Sequence, residues 1–154
     1  MAFADQESPY REVIGSQGGE VLDTRTGLVW KRCLIGKVWD AATSRCSGSP
    51  ADMPWDTLIE HVKKLPRAGG NDWRLPSPFE LMSIVDSVCQ DRAGCDKPSM
   101  DPKWLGDADA VFLWSDAAYV RMPDYAWGIR GKRGELSYEL KNDAFQARLV
   151  KSKL

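Results

Sequence analysis

Residues Asn71 to Asp86 read "NDWRLPSPFELMSIVD", and the reading of this run decides the fold. Ser77 is a good helix N-cap, Pro78 suits the first helical position, and Glu80 three residues after the cap completes a capping box. Leu81, Ile84, Val85 and Val88 follow at helical spacing, so a helix with one apolar face is expected over 77–88. Trp73 and Leu75, just upstream, are expected to anchor in the core, and Arg74 to tie loop carbonyls or a carboxylate. The run reads as a buried corner feeding a capped helix.

Upstream, "MPWDTLIEHVKKL" places Leu58, Ile59, Val62 and Leu65 on one stripe of an amphipathic helix. Pro54 suits its first turn, and Pro66 with Gly69 and Gly70 ends it. "EVLDTRTGLVWKR", Glu20 to Arg32, reads as a β-hairpin turning over Asp23 to Gly27. Residues 33–54 are expected as a loop that holds Trp39. Downstream, strands are expected over 110–115, 125–130, 135–140 and 144–151, separated by turn residues. Hairpin, loop, two helices and then a strand set make an α+β order rather than alternating βαβ units.

The chain has 154 residues, which fits one domain; residues 1–18 are expected as a flexible arm and 19–154 as the domain. A formal net charge of -1 argues against a nucleic-acid binder. No apolar run approaches the roughly 18 residues of a membrane helix, so no membrane insertion is expected. Seven tryptophans suit a loop-rich core filled by large flat side chains. Cys33, Cys46, Cys89 and Cys95 fall as two local pairs around turn-rich loops, and that pairing fits best among the three possible. Zinc is the competing reading, but neither pair has CxxC spacing and His61 is the single histidine. Two bridges would place the protein in the periplasm or outside the cell.

In order along the chain, "DTRTGLVWKRC", "NDWRLPSPFELMSIVD", "FLWSDAAY", "YAWGIRGKRGELSY" and "ARLVK" resemble the C-terminal domain family of the Legionella collagen-like adhesin. The resemblance covers about residues 20 to 151 and implies a fold related to C-type lectins and to sulfatase-modifying enzymes. It also implies exported bacterial proteins that bind rather than catalyse, with sulfated glycosaminoglycans among the ligands of such adhesins. The lectin calcium motifs Glu-Pro-Asn and Gln-Pro-Asp are absent, and so is a Gly-X-Y repeat.

Two constellations are candidate ligand sites. One is the basic loop Arg130, Lys132 and Arg133, where clustered cations between glycines can grip sulfate or carboxylate. The other is the set Asp116, Tyr119, Arg121 and Tyr125, since aromatic faces beside polar groups suit sugar rings or a protein hot spot. Trp104 belongs to the same stretch, whereas the family resemblance implies that Trp114 and Trp127 lie in the core. Asp96, Asp101, Asp107 and Asp109 read as solvated loop acids rather than calcium ligands. His61 falls on the polar side of its helix and has no second histidine with which to build a catalytic or metal set. The expected protein is therefore a binder without catalytic residues, metal or cofactor. Its partner is a glycan, possibly a sulfated one, or a protein such as an exported toxin that it would block as an immunity factor.

Overall fold

The computed structural model describes residues 8–67, 69, 72–85, 100–106, 110–131 and 134–152. The class is α+β, with short antiparallel strands and two short helices among the described residues. Strands β1 (Tyr10–Glu12), β2 (Glu20–Asp23), β3 (Leu28–Lys31) and β9 (Val150–Ser152) form one sheet in the order β1-β2-β3-β9. The expected hairpin is present: Gly27 adopts φ +75° and donates its N–H to the Asp23 carbonyl at 2.8 Å. Asp23 is fully buried at the start of that turn, and Arg25 forks onto both its carboxylate oxygens at 3.0 and 3.1 Å.

Several expectations need correction: the strand expected over 144–151 is confined to Val150–Ser152 and joins the first sheet, and that expected over 110–115 runs as Leu113–Ala118. Tyr10–Glu12, expected inside a flexible arm, pairs with β2 in register as an edge strand. Residues 33–54, expected as a plain loop, contain a small hairpin of β4 (Val38–Asp40) and β5 (Arg45–Ser47), with Trp39 opposite Cys46. These strands have three residues each and lack apolar alternation, so no period-2 signal marks them. The second helix, α2, covers only Pro78–Ser83, because Ile84 leaves helical geometry at φ -97° and ψ 2°.

The start of α2 is built as expected. Ser77 Oγ accepts from the Glu80 N–H at 3.1 Å, and Glu80 accepts from the Ser77 N–H at 2.8 Å. The same carboxylate takes the Arg74 fork at 2.6 and 2.7 Å, so one side chain fixes both the helix start and the corner before it. Helix α1 (Trp55–Lys63) follows Pro54 and buries Leu58 and Val62, with His61 exposed.

The Cys33–Cys46 disulfide forms as expected and closes the β4–β5 segment. A loop of that length contributes about 3 kcal/mol in the chain-entropy model. The expected Cys89–Cys95 pair lies outside the described residues.

The second sheet joins β6 (Leu113–Ala118), β7 (Tyr125–Arg130) and β8 (Glu135–Leu140) in that order. It separates two apolar clusters. Ile129 and Leu113 pack with Leu81 and Ile84 near α2, whereas Ala126, Phe112 and Trp114 pack with Leu58 and Val62 of α1. Trp30 and Trp114 are fully buried and Trp73 nearly so, which bears out the reading of tryptophans as core fillers for these three. Two indole N–H groups are tied as well: Trp114 donates to the Met53 carbonyl at 3.0 Å and Trp55 to that of Ser115 at 2.9 Å.

Candidate functional site

β7 and β8 pair in a strict register, with Tyr125 opposite Leu140, Trp127 opposite Tyr138 and Ile129 opposite Leu136. Alternate residues on a strand share a face, so these six line one side of the sheet. At the Ile129 end that side is covered by α2 and Leu81. At the Tyr125 end the side chains are half-buried or exposed.

Four rings gather there. Tyr119 stacks on Trp127 with centroids 4.5 Å apart and planes 15° apart. Tyr138 meets Tyr119, Trp127 and Tyr125 edge-on at 5.0, 5.5 and 5.5 Å. Edge-to-face and offset-stacked pairs are the favourable geometries for rings, so the cluster holds its own shape before any ligand arrives. The turn that delivers Tyr119 is equally firm. Tyr119 N–H donates to the Tyr125 carbonyl, Met122 N–H to that of Tyr119, and Tyr125 N–H to that of Met122, at 2.9, 3.0 and 2.9 Å. Arg121 projects from this turn, exposed and, among the described residues, without an ion-pair partner.

Asp116 enters from the other side. Between Trp114 and Ala118 the β6 register shifts, a bulge that leaves Ser115, Asp116 and Ala117 opposite Trp127. Bulges re-aim side chains, and this one ties Asp116 N–H to the Pro76 carbonyl at 2.9 Å, beside the Arg74–Glu80 pair. Asp116 is exposed as a residue, yet burial of its carboxyl, with the Glu80 charge second, pushes it above the ordinary aspartate range. Glu80 moves the other way, held low chiefly by the Arg74 fork.

These opposite shifts give a pH prediction. Glu80 releases its proton more readily folded than unfolded, so it stabilises the fold above the ordinary glutamate range. That stabilisation is lost as pH falls through its folded value. Glu80→Gln is therefore expected to melt lower than the parent at neutral pH, with the gap closing in acid. Melting curves across that range check it; a constant gap would mean that the carboxylate charge contributes nothing.

The structure thus brings together Tyr119, Arg121 and Tyr125 around one sheet end, whereas Asp116 sits at the bulge beside Arg74 and Glu80. It sets Arg130 apart: its backbone is at the opposite end of β7, and its guanidinium reaches back along the other face of the sheet to Glu139 at 2.9 Å. Lys132 and Arg133 lie outside the described residues, as do Asp96, Asp107 and Asp109. Asp101 has a local duty: its carbonyl accepts from Leu105 N–H at 2.9 Å and its carboxylate from Lys103 N–H at 2.9 Å. Trp104 belongs elsewhere, near Tyr10 and beneath the Arg32 guanidinium. Trp114 is core as expected, but Trp127 is half-buried and belongs to the ring cluster. Tyr138 was missed by sequence reasoning; its pairing with Trp127 was available from hairpin register alone.

A separate cleft of about 340 Å³ lies beside the disulfide loop, lined by Glu20, Lys31, Lys37, Trp39 and His61 among others. Its residues come from four separate segments, so no local pattern announces it. Among the described residues no group of three His, Cys, Asp or Glu side chains is placed to hold a metal ion. No helix among them is long and apolar enough to cross a membrane.

The profile of the Lcl C-terminal domain matches residues 19–151, nearly the span over which the sequence motifs run. The chain belongs to the Lcl C-terminal domain family. No curated protein matches it. Within this Lcl domain the family motif "YAWGIRGKRGELSY" is the hairpin that carries the ring cluster, and "FLWSDAAY" is the bulged strand beside it. "NDWRLPSPFEL" supplies the capped helix that covers the far end of the same face.

Proposed function

We propose that this Lcl domain is a non-catalytic, exported binding module, adhesin-like, with the C-type-lectin-like character that its family resemblance implies. Its ligand is a glycan carrying anionic groups, held on the ring cluster at the Tyr119–Tyr125 turn. One observation carries the reading. A stacked Tyr119–Trp127 pair, braced edge-on by Tyr138, stands partly open beside an exposed Arg121. The rings offer flat apolar surface to the C–H face of a sugar, and the guanidinium offers a planar fork to sulfate or carboxylate. Since the rings already pack on each other, little side-chain entropy is lost on binding. The Cys33–Cys46 bridge favours an oxidising compartment, hence the periplasm or the exterior.

Calorimetric titration with a sulfated polysaccharide such as heparin tests this. Affinity should fall as salt rises, and Arg121→Ala and Tyr119→Ala should each weaken binding by about tenfold or more, the scale of one lost anchor. Arg130→Ala, on the other face of the sheet and already neutralised by Glu139, should weaken it less. Equal loss in all three variants would sink the assignment to the turn. A second reading has its own observation: Val120 and Leu140 beside the rings are 89% and 41% exposed, an apolar fringe that suits a protein partner. A nanomolar complex with one exported toxin or enzyme, without any glycan signal, would favour the immunity or inhibitor role.

A further inference from the structure

β8 ends its sheet, and its outer edge is open among the described residues. Which groups point outward follows from two neighbouring bonds. Lys141 N–H donates to the Asp124 carbonyl at 2.8 Å, in line with the β7–β8 register. Tyr125, in contrast, spends its N–H on Met122 and its carbonyl on Tyr119, both away from Leu140. Antiparallel pairs alternate between bonded and non-bonded, so Glu135, Ser137 and Glu139 bond inward to β7. The main-chain groups of Leu136, Tyr138 and Leu140 therefore point away from the sheet. Leu140 uses its carbonyl in the closing turn, where it accepts from Asp143 N–H at 3.0 Å. The side chains of these three are 46%, 39% and 41% exposed. An open edge with large apolar side chains is a template for another strand, and soluble proteins ordinarily guard against it.

The sequence of the edge says which strand fits. "ELSYELK", Glu135 to Lys141, is complementary to itself when read antiparallel about Tyr138. In that register Glu135 opposes Lys141 of the second copy, Leu136 opposes Leu140, Ser137 opposes Glu139 and Tyr138 opposes itself. Opposite charges meet at both ends, apolar side chains meet on one face, and the outward N–H and C=O groups face each other in phase. Any register shifted by one residue puts Leu140 opposite Glu135 or Ser137 and loses every one of these matches. We infer that β8 is the interface for a second copy of this chain, pairing antiparallel about a twofold axis at Tyr138 to make a continuous six-stranded sheet. A twofold axis is what a self-complementary edge requires. The pairing would also set the two Tyr138 rings beside each other, joining the two ring faces into one surface. It does not depend on what that surface binds.

The charge pattern supplies a test that a structural defect cannot mimic. Sedimentation velocity over a concentration series should show reversible monomer–dimer exchange in the parent. Glu135→Lys and Lys141→Glu each place like charges at both ends of the interface, so each alone should weaken self-association by about tenfold or more. An equimolar mixture of these two variants restores both opposite-charge contacts and should return to parental association as a heterodimer. Lys141 also lies over the Trp55 ring at 5.0 Å, so each single variant is first shown to melt like the parent. Should Lys141→Glu fail that check, Leu136→Pro replaces it, because it blocks the edge while removing an N–H that β7 does not use. A parent that stays monomeric throughout the series overturns the inference. So does a dimer indifferent to Glu135→Lys, or a mixture that stays monomeric.

Discussion

Trp73→Ala is expected to cost about 3–5 kcal/mol and to lower the melting temperature by roughly 10 °C, without selectively removing ligand binding. The indole is 6% exposed and packs in the cluster with Leu58, Val62 and Leu75. Its ring also carries two cations, the Lys31 and Lys151 ammonium groups at 4.5 and 4.6 Å from its centroid. Both lysines are held against Glu20, at 3.9 and 3.7 Å, so the ring, two cations and one carboxylate form a single assembly across β2, β3 and β9. Beside it, Arg74 exchanges two main-chain bonds with Val150 at 2.9 Å each, which ties the corner to the last strand. Deleting the indole leaves a cavity where corner and sheet meet, and partial collapse cannot refill it while that backbone bridge holds. Thermal melts and binding to the folded fraction check the claim. A Trp73→Ala protein with parental melting but no ligand affinity would move this corner from the scaffold into the site.

How much of this was legible in the sequence depended on how local each signal was. The α2 cap is written in four consecutive residues, Ser77 to Glu80, and its geometry followed from their identities. β7 and β8 were found with correct bounds because two strand-like runs flank a glycine-rich turn. The end of α2 was not legible, since Ile84, Val85 and Val88 continue the apolar spacing while the chain leaves the helix at Ile84. Beyond that point Val85 lies against Gly134, a tertiary contact that residue spacing does not encode. β1 was hidden for a different cause: as an edge strand of three residues with one buried side chain, Tyr10, it has no pattern to show.

The candidate site was half legible for a related reason. Tyr119, Arg121 and Tyr125 lie within one turn, so residue type and proximity sufficed to group them. Trp127 was expected in the core from the family resemblance, and only the pairing with Tyr138 reveals its half-open setting. Arg130, grouped by sequence with a basic loop, is bound to a carboxylate on the neighbouring strand. Charge clustering in one dimension says little about which cations remain available in three.

Arg148→Met is expected to destabilise the protein by about 3–5 kcal/mol, and Arg148→Lys to recover less than half of that loss. Nothing in "ARLVK" marks this arginine as special, yet it is fully buried. One guanidinium nitrogen donates to the Lys31 and Arg32 carbonyls at 3.1 and 2.7 Å, and another to the Gly106 carbonyl. Its fork thus fastens the end of β3 to the segment that carries Leu105 and Met100, both fully buried in the cluster with Trp30. Two effects compete when methionine replaces it. Removing a buried cation relieves its desolvation cost, which favours the variant. Against that, the carbonyls of Lys31 and Gly106 lose a charged donor inside the protein, and a buried acceptor left unpaired costs about 1–3 kcal/mol. The Arg32 carbonyl is partly protected, since it also accepts from Gly106 N–H at 2.9 Å. The losses prevail because the donors are charged and several bonds go at once. Lysine brings back the charge but not the planar fork, and a single ammonium cannot reach carbonyls on both sides of the seam in the same geometry. Chemical denaturation of the two variants decides between fork and charge: equal stability of Arg148→Lys and the parent would show that charge alone holds the seam.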